Sequence, residues 1–426
     1  MDFASNGFVL ICAALVFIMT PGLAFFYGGL ARKKNVIDTM MASVGIMGFS
    51  ILLWVVFGYT LSFSNGGGAN GIIGGFDNFF LMGLSPYESL DGTSSSISVI
   101  TYVIFQMMFA MITPAVVTGG GVGRMRAGAM FVFSMIWSVL VYFPLVHMVW
   151  GGGFLQEMGV IDFAGGFPIE VATGMSGLVL AAMLGKRDGF GKKSFEPHNK
   201  PYVFLGASIL WFGWLGFNAG SSLHADGLAA HAFLTTCIIA ATALCSWAVI
   251  DIINTGKPTL VGTSSGLVCG LVAATPTCGY IPVWAAFIIG AVVSPICYYT
   301  TKAIAKGGID DPMSVFGCHG MAGFTGCIGL ALFCQASVNP TVTYGDGLVF
   351  GGVHQFGIQI LATAVAAGWA AGMTAISLLI TRIFTKLRVD PSEEIAGLDI
   401  NQHGEDAYPA FEYKVEEIGR ASCRER

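Results

Sequence analysis

The sequence predicts an all-α polytopic membrane protein of eleven transmembrane helices, and three observations carry that prediction. Hydrophobic residues fill 54% of the 426 positions and charged residues only 11%, against roughly a quarter charged in an ordinary soluble chain; mean hydropathy is +0.73. Eleven apolar stretches are long enough to cross a hydrocarbon layer of about 30 Å. Lys and Arg follow every odd stretch and no even one, the asymmetry that marks cytoplasmic loops. The 59 glycines let helix backbones approach closely, as packing in lipid requires, while the net charge of −5 says little beside where the bases fall.

In chain order the stretches run from Phe8 to Leu30, Val36 to Phe63, Ile97 to Thr118, Ala127 to Trp150, Phe163 to Leu184, Tyr202 to Ser221, Leu228 to Ile253, Thr259 to Ala274, Ile281 to Tyr299, Met313 to Cys334 and Val349 to Ile380. Arg32, Lys33 and Lys34 follow the first, Arg124 and Arg126 the third, Lys186 to Lys200 the fifth, Lys257 the seventh, Lys302 and Lys306 the ninth; the remaining seven bases lie at or after Arg382. This places the N-terminus outside and the C-terminal tail in the cytoplasm. MDFASNG carries no base ahead of a stretch long enough to span, so no cleaved leader is expected. The chain divides into a membrane part, 1–384, and a polar tail, 385–426. The outward loops hold Asp77, Glu88, Asp91, Glu157, Asp162, Asp226 and Asp346 without a base. That face attracts cations, although positive-inside sorting alone would also strip it of bases.

Within this pattern two stretches carry ionisable groups where they are costly. In DFAGGFPIE, Asp162 precedes Glu170 by eight residues; in DPMSVFGCH, Asp311 precedes His319 by eight. Eight helical residues rise about 12 Å, which sets Glu170 and His319 near mid-membrane, where a titratable side chain marks a path for ions, protons or substrate. The two elements lie five stretches apart and enter from opposite sides. That is the pattern of an inverted 5+5 repeat with one extra helix and a site at the midplane. Pro21 with FYGGL, and Gly216, Asn218 and Gly220 in LGFNAGSS, interrupt helices where backbone can face a cavity.

Other residues leave two readings open. Asp162 suits a helix N-cap as well as an electrostatic role. Trp150, ending its stretch beside three glycines, suits an interfacial belt or a ring face for a cation. Phe109 and Phe217 are packing or pore-facing residues. His147, His198, His224, His231, His354 and His403 have no metal-ligand spacing, and the ten cysteines form no metal or disulfide framework; Cys278 and Cys334, both at outward ends, could pair. The glycine clusters at 66–68, 119–121 and 151–153 follow no strand, which argues against phosphate binding. No catalytic residue, metal, cofactor or nucleic-acid partner is expected, and no enzyme constellation is present.

PGLAFFYGGL, FQMMFAMITPA, HMVWGGG, DFAGG, LWFGWLGFNAGSS, KPTLVGTSSG, FGCHG and GLDINQHGEDAY together resemble the ammonium transporter (Amt/Mep/Rh) family, in order from about Pro21 to Tyr408. The resemblance implies a multi-pass cell-membrane protein with a hydrophobic pore in each protomer of a homotrimer, serving nitrogen uptake. Trp150, Phe109 and Ser221 match the family's outer ammonium site, Asp162 the acid beneath it, Phe109 and Phe217 its ring gate, and His319 the second of its paired pore histidines. Glu170 departs: the common bacterial pattern has histidine there, and a subset of fungal members is similar in carrying Glu. The tail resembles one that lies across a neighbouring subunit and answers to a PII-type protein; the final GRASCRER departs from that pattern. The expected function is ammonium or ammonia conduction past a Glu170/His319 pair. The alternative is an ammonium sensor that binds without sustained flux and signals through its tail.

Overall fold

The computed structural model describes residues 1–409; the GRASCRER ending lies outside them. Among the described residues eleven helices are long and apolar enough to cross a membrane: α1 Phe3–Leu30, α2 Lys33–Phe63, α3 Val99–Gly120, α4 Ala127–Glu157, α5 Gly166–Leu184, α6 Lys200–Gly220, α7 Gly227–Thr255, α8 Leu260–Thr277, α9 Val283–Lys306, α10 Phe316–Phe333 and α11 Val353–Phe384. Pairing between extended segments is confined, among these residues, to the isolated bridges Ser89–Ser98 and Met125–Arg388.

Helix starts follow local chemistry. Ser98, Asn199, Asp226 and Thr259 each accept a backbone N–H at the head of α3, α6, α7 and α8, satisfying donors that no preceding turn can reach. One clear difference from the sequence expectation is at α9, which continues past Tyr299 to Lys306. A hydropathy boundary stops at the first polar residues, whereas the helix runs on; Lys302 donates to Tyr298 Oη one turn back.

Most of α3 is buried, as is most of α5, α8 and α10, whereas most of α2 and α11 is not. The bundle is therefore built around α3, α5, α8 and α10, with α2 and α11 at its rim. Outward side chains such as Leu52, Ile253, Phe287 and Ile383 are exposed; in water such a surface would be an aggregation liability, and in lipid it is the expected boundary.

Both α5 and α10 open with a π-helical segment, Gly166–Val171 and Phe316–Met321, and these hold Glu170 and His319. Here the structure corrects the depth estimate. Each helix begins four or five residues after its Asp, so only about half of the eight-residue interval is helical and the 12 Å rise does not apply. Helices α5 and α10 cross at Gly174 and Gly320, where a Cβ on Gly174 would overlap the Gly320 backbone. Gly174→Val is expected to abolish monodisperse protein in detergent, because backbone has no rotamer with which to yield. A wild-type elution profile and melting midpoint would contradict that close crossing.

Beyond α11, α12 (Pro391–Ala396) opens with an Asp390–Glu393 capping box. The tail then folds back over its own chain. Asp399 accepts the N–H groups of Val36 and Asp38, each at 2.9 Å, His403 Nε2 lies 3.1 Å from Asp38 Oδ1, and Lys34 reaches the Glu394 and Ile395 carbonyls. The described tail thus caps the start of α2. Cys278 and Cys334 are both free thiols; the pairing left open by their positions is not formed.

Candidate functional site

A cavity of about 540 Å³ opens at the face whose loops carry the acidic residues. Phe109 from α3, Trp150 from α4, Asp162 from the α4–α5 connection and Ser221 after α6 all line it. Sequence positions more than a hundred residues apart therefore meet in one site.

Trp150 is fixed by its indole N–H, which donates to the Asp162 carbonyl at 3.1 Å. This leaves the ring as a wall of the cavity. Ser221 spends its proton on the Phe217 carbonyl at 2.8 Å, so its lone pairs remain as an acceptor. Asp162 itself is engaged by backbone: Oδ1 accepts the N–H groups of Gly165 and Gly166 at 2.9 and 2.8 Å, and Oδ2 that of Phe167 at 2.9 Å. The carboxylate therefore caps the head of α5, from three residues before the N-cap position Gly165, and is 6% exposed in the cavity lining.

Beneath the cavity, Phe109 and Phe217 meet edge to face with ring centroids 4.4 Å apart and planes at 72°. Phe105 backs Phe109 at 4.8 Å. The positive ring edge against the negative face favours this arrangement. Phe217, Glu170 and His319 do not line the open cavity.

Glu170 and His319 come together from α5 and α10. Oε2 lies 2.9 Å from Nδ1, with Glu170 1% and His319 4% exposed. Thr275 Oγ1 stands 3.4 Å from Glu170 Oε1 and accepts the Trp214 indole N–H at 2.9 Å. The Trp214 ring also lies 5.4 Å from Phe217. A continuous chain of contacts therefore runs from the ring pair through Trp214 and Thr275 to the Glu170–His319 pair, so the titratable centre sits against protein and not against lipid.

Three residues here escaped sequence reasoning. Trp214 and Thr275 lie in LWFGWLGFNAGSS and beside Pro276, with nothing in their spacing to single them out. Gln106 was visible as the one amide in FQMMFAMITP; it lines the cavity, is 7% exposed, and its Oε1 has no hydrogen-bond partner. Of the remaining histidines, His147 is buried with Nδ1 3.0 Å from the Ser62 carbonyl and Nε2 2.7 Å from that of Asn70, a structural tie at the base of Trp150's helix. Among the described residues no group of His, Cys, Asp and Glu could hold a metal ion.

The fold and site define a multi-pass membrane protein with a cavity leading to buried rings and a titratable pair. Residues 7–408 match the family model described as Ammonium Transporter Family. The chain is 41% identical to the ammonium transporter of Bacillus subtilis over 96% of its own length and 99% of that protein's. It is 36% identical to ammonium transporter Amt1 of Archaeoglobus fulgidus, over 96% and 100%. Among solved structures, Saccharomyces cerevisiae Mep2 superposes with a TM-score of 0.87 at 34% identity, covering 97% of this chain and 93% of that one. A structure titled Sensor Amt Protein gives 0.85 at 27% identity, covering 94% and 98%. The chain belongs to the ammonium transporter family. It is a plasma-membrane protein related to transporters, not to enzymes.

Proposed function

We propose that this protein conducts ammonium through each protomer, taking it up at the acidic cavity and passing it the Phe109–Phe217 rings to the Glu170–His319 pair. The observation that carries the reading is that pair: two titratable side chains, buried within a bundle of membrane-spanning helices and hydrogen-bonded to each other at 2.9 Å. A buried polar pair of this kind is costly, and in a membrane it marks a path for ions or protons.

Ammonium in the cavity faces the Trp150 ring, with Ser221 Oγ and Gln106 Oε1 as acceptors for two of its four N–H groups. A cation over an indole gains about 0.5–2 kcal/mol, depending on its desolvation. That is far less than the cost of taking a full charge into dry hydrocarbon, which runs to tens of kcal/mol for an isolated ion. Either the proton leaves before the rings or polar groups replace the lost water, and Glu170 with His319 is the centre able to do one or the other. Gln106→Leu, which removes the acceptor, is expected to raise the half-saturating ammonium concentration at least about tenfold, since a hydrogen bond to a charged group is worth about 1.5–3 kcal/mol and each 1.4 kcal/mol is about tenfold in affinity. An unchanged concentration dependence would remove Gln106 from the binding set.

The acidic face is outside on this reading, the basic face and tail cytoplasmic, and residues 1–384 and 385–426 act as transport unit and regulatory tail. The functional unit is a homotrimer, and the tail surface is where a PII-type regulator would act. The second reading, a sensor, is favoured by the likeness to the Sensor Amt Protein and by the direct contact of the two rings. Reconstitution in proteoliposomes separates the two. A sustained current on an ammonium step supports conduction; saturable ammonium binding with no current supports the sensor.

A further inference from the structure

The connection from α2 to α3, residues 64–98, does not simply rise off the bundle. Part of it folds back beside α2, and around its tight turn Phe79–Leu81 the large apolar side chains Phe76, Phe80 and Met82 stand 65%, 54% and 60% exposed. We propose that this turn is a lipid-binding anchor, seating Phe76, Phe80 and Met82 in the headgroup–acyl boundary of the leaflet on the acidic face. The proposal rests on the membrane-spanning fold and does not depend on the conduction reading.

Depth is the first argument. The Phe79 ring stacks on that of Phe57, with centroids 6.1 Å apart and planes at 24°, and the turn packs against Trp54–Gly58 of α2. Phe57 lies six residues before the end of α2 at Phe63, so the turn has come back about 9 Å along the helix. At its basic end α2 carries Asp38, which meets His403 of the tail. From Thr39 the next twenty residues reach Gly58, and a helix of that length covers a hydrocarbon layer of about 30 Å. The turn is therefore level with the edge of that layer. Continuity is the second argument: Met41, Val44 and Leu52 are exposed along one face of α2, and the turn packs on the next stretch of the same helix.

The turn is also built to present these side chains. Phe80 and Leu81 both take left-handed backbone, with φ of 55° and 58°, which is uncommon for bulky residues. Leu81 packs against the core while Phe80 is left exposed. The end of α2 holds the connection in place: Thr60 Oγ1 donates to the Gly75 carbonyl and accepts the Asn78 N–H, each at 3.0 Å, and the Gly74 N–H donates to the Leu61 carbonyl at 2.7 Å. Within the turn the N–H groups of Phe79, Leu81 and Met82 bond the carbonyls of Phe76, Asn78 and Phe79, the internal pairing that backbone needs beside hydrocarbon. Residues 64–98 carry Asp77, Glu88 and Asp91 and no base. Attraction to anionic headgroups therefore plays no part; burial of apolar surface at the boundary carries the binding, and zwitterionic lipid suffices.

Two methionines test this in the unaltered protein: Met82, and Met158 just after α4, which is less exposed at 38%. The full chain is placed in nanodiscs of phosphatidylcholine bearing a diazirine in its acyl chain. One sample is treated with hydrogen peroxide, which converts accessible methionine to sulfoxide, and another is illuminated; oxidation rates are normalised to those of the unfolded chain. The expected result is oxidation of Met82 at least threefold slower than that of Met158, despite its greater exposure, together with lipid cross-linked to residues 76–82. Met82 oxidised as fast as Met158 overturns the proposal. Protection of Met82 without a lipid adduct on 76–82 overturns it as well, because a second copy of the chain would then be what covers the turn.

Discussion

Asp162→Ala is expected to leave little folded protein. The carboxylate satisfies three consecutive donors at the head of α5, the N–H groups of Gly165, Gly166 and Phe167. The side chain is only 6% exposed, so water is poorly placed to replace it. A hydrogen bond to a charged group contributes about 1.5–3 kcal/mol net, so three together approach the ~5–15 kcal/mol total stability of a typical domain. Asp162→Asn keeps one acceptor oxygen and should fall between alanine and wild type. Yield and melting midpoint in detergent, read by size-exclusion fluorescence, give the answer; a wild-type midpoint for the alanine protein would show that the cap is dispensable.

Glu170→Gln is expected to fold normally and to lose at least about tenfold in ammonium-evoked current, a change that corresponds to about 1.4 kcal/mol in the rate-limiting barrier. The substitution is nearly isosteric. Its amide oxygen can still face Thr275 and its other end can still meet His319 Nδ1, so packing is preserved while the negative charge and the ability to take up a proton are lost. A carboxylate and an imidazole 2.9 Å apart titrate as one unit, and Gln removes half of that unit. His319→Ala is a harsher change, since it leaves Glu170 buried without its nitrogen partner, and breaking a buried pair costs about 3–5 kcal/mol. Its current must therefore be normalised to folded protein. If Glu170→Gln carried wild-type current, the pair would be structural.

Much of this arrangement was legible in the sequence, and the reasons are physical. Spanning helices must bury their own backbone polar groups, so apolar length locates them, and the Lys/Arg alternation checks their number. The boundaries slipped where that logic lapses: at α9 the helix continues through Lys302 and Lys306, and at α5 and α10 residues 163–165 and 313–314 are apolar or small yet precede the helix. The Asp162 cap could be read from residue type and position. That Glu170 and His319 belong together could be read from their equal spacing after an Asp. Their hydrogen bond could not, because it depends on two π-helical openings and on the close crossing of α5 and α10 at Gly174 and Gly320. Trp214 and Thr275 lacked any local signature; each acquires its role from a partner contributed by another helix. The tail motif GLDINQHGEDAY could be placed by resemblance, but the capping of α2 by Asp399, some 360 positions away, is tertiary information.

The central claim is that the Glu170–His319 pair lies on the route taken by ammonium below the Trp150 cavity. The measurement that bears on it most directly is the ammonium current, and its selectivity over potassium, in proteoliposomes containing equal amounts of folded wild-type, Glu170→Gln and His319→Ala protein. The account predicts that both substitutions reduce the current or admit potassium. Unchanged current together with unchanged selectivity in both variants would contradict it.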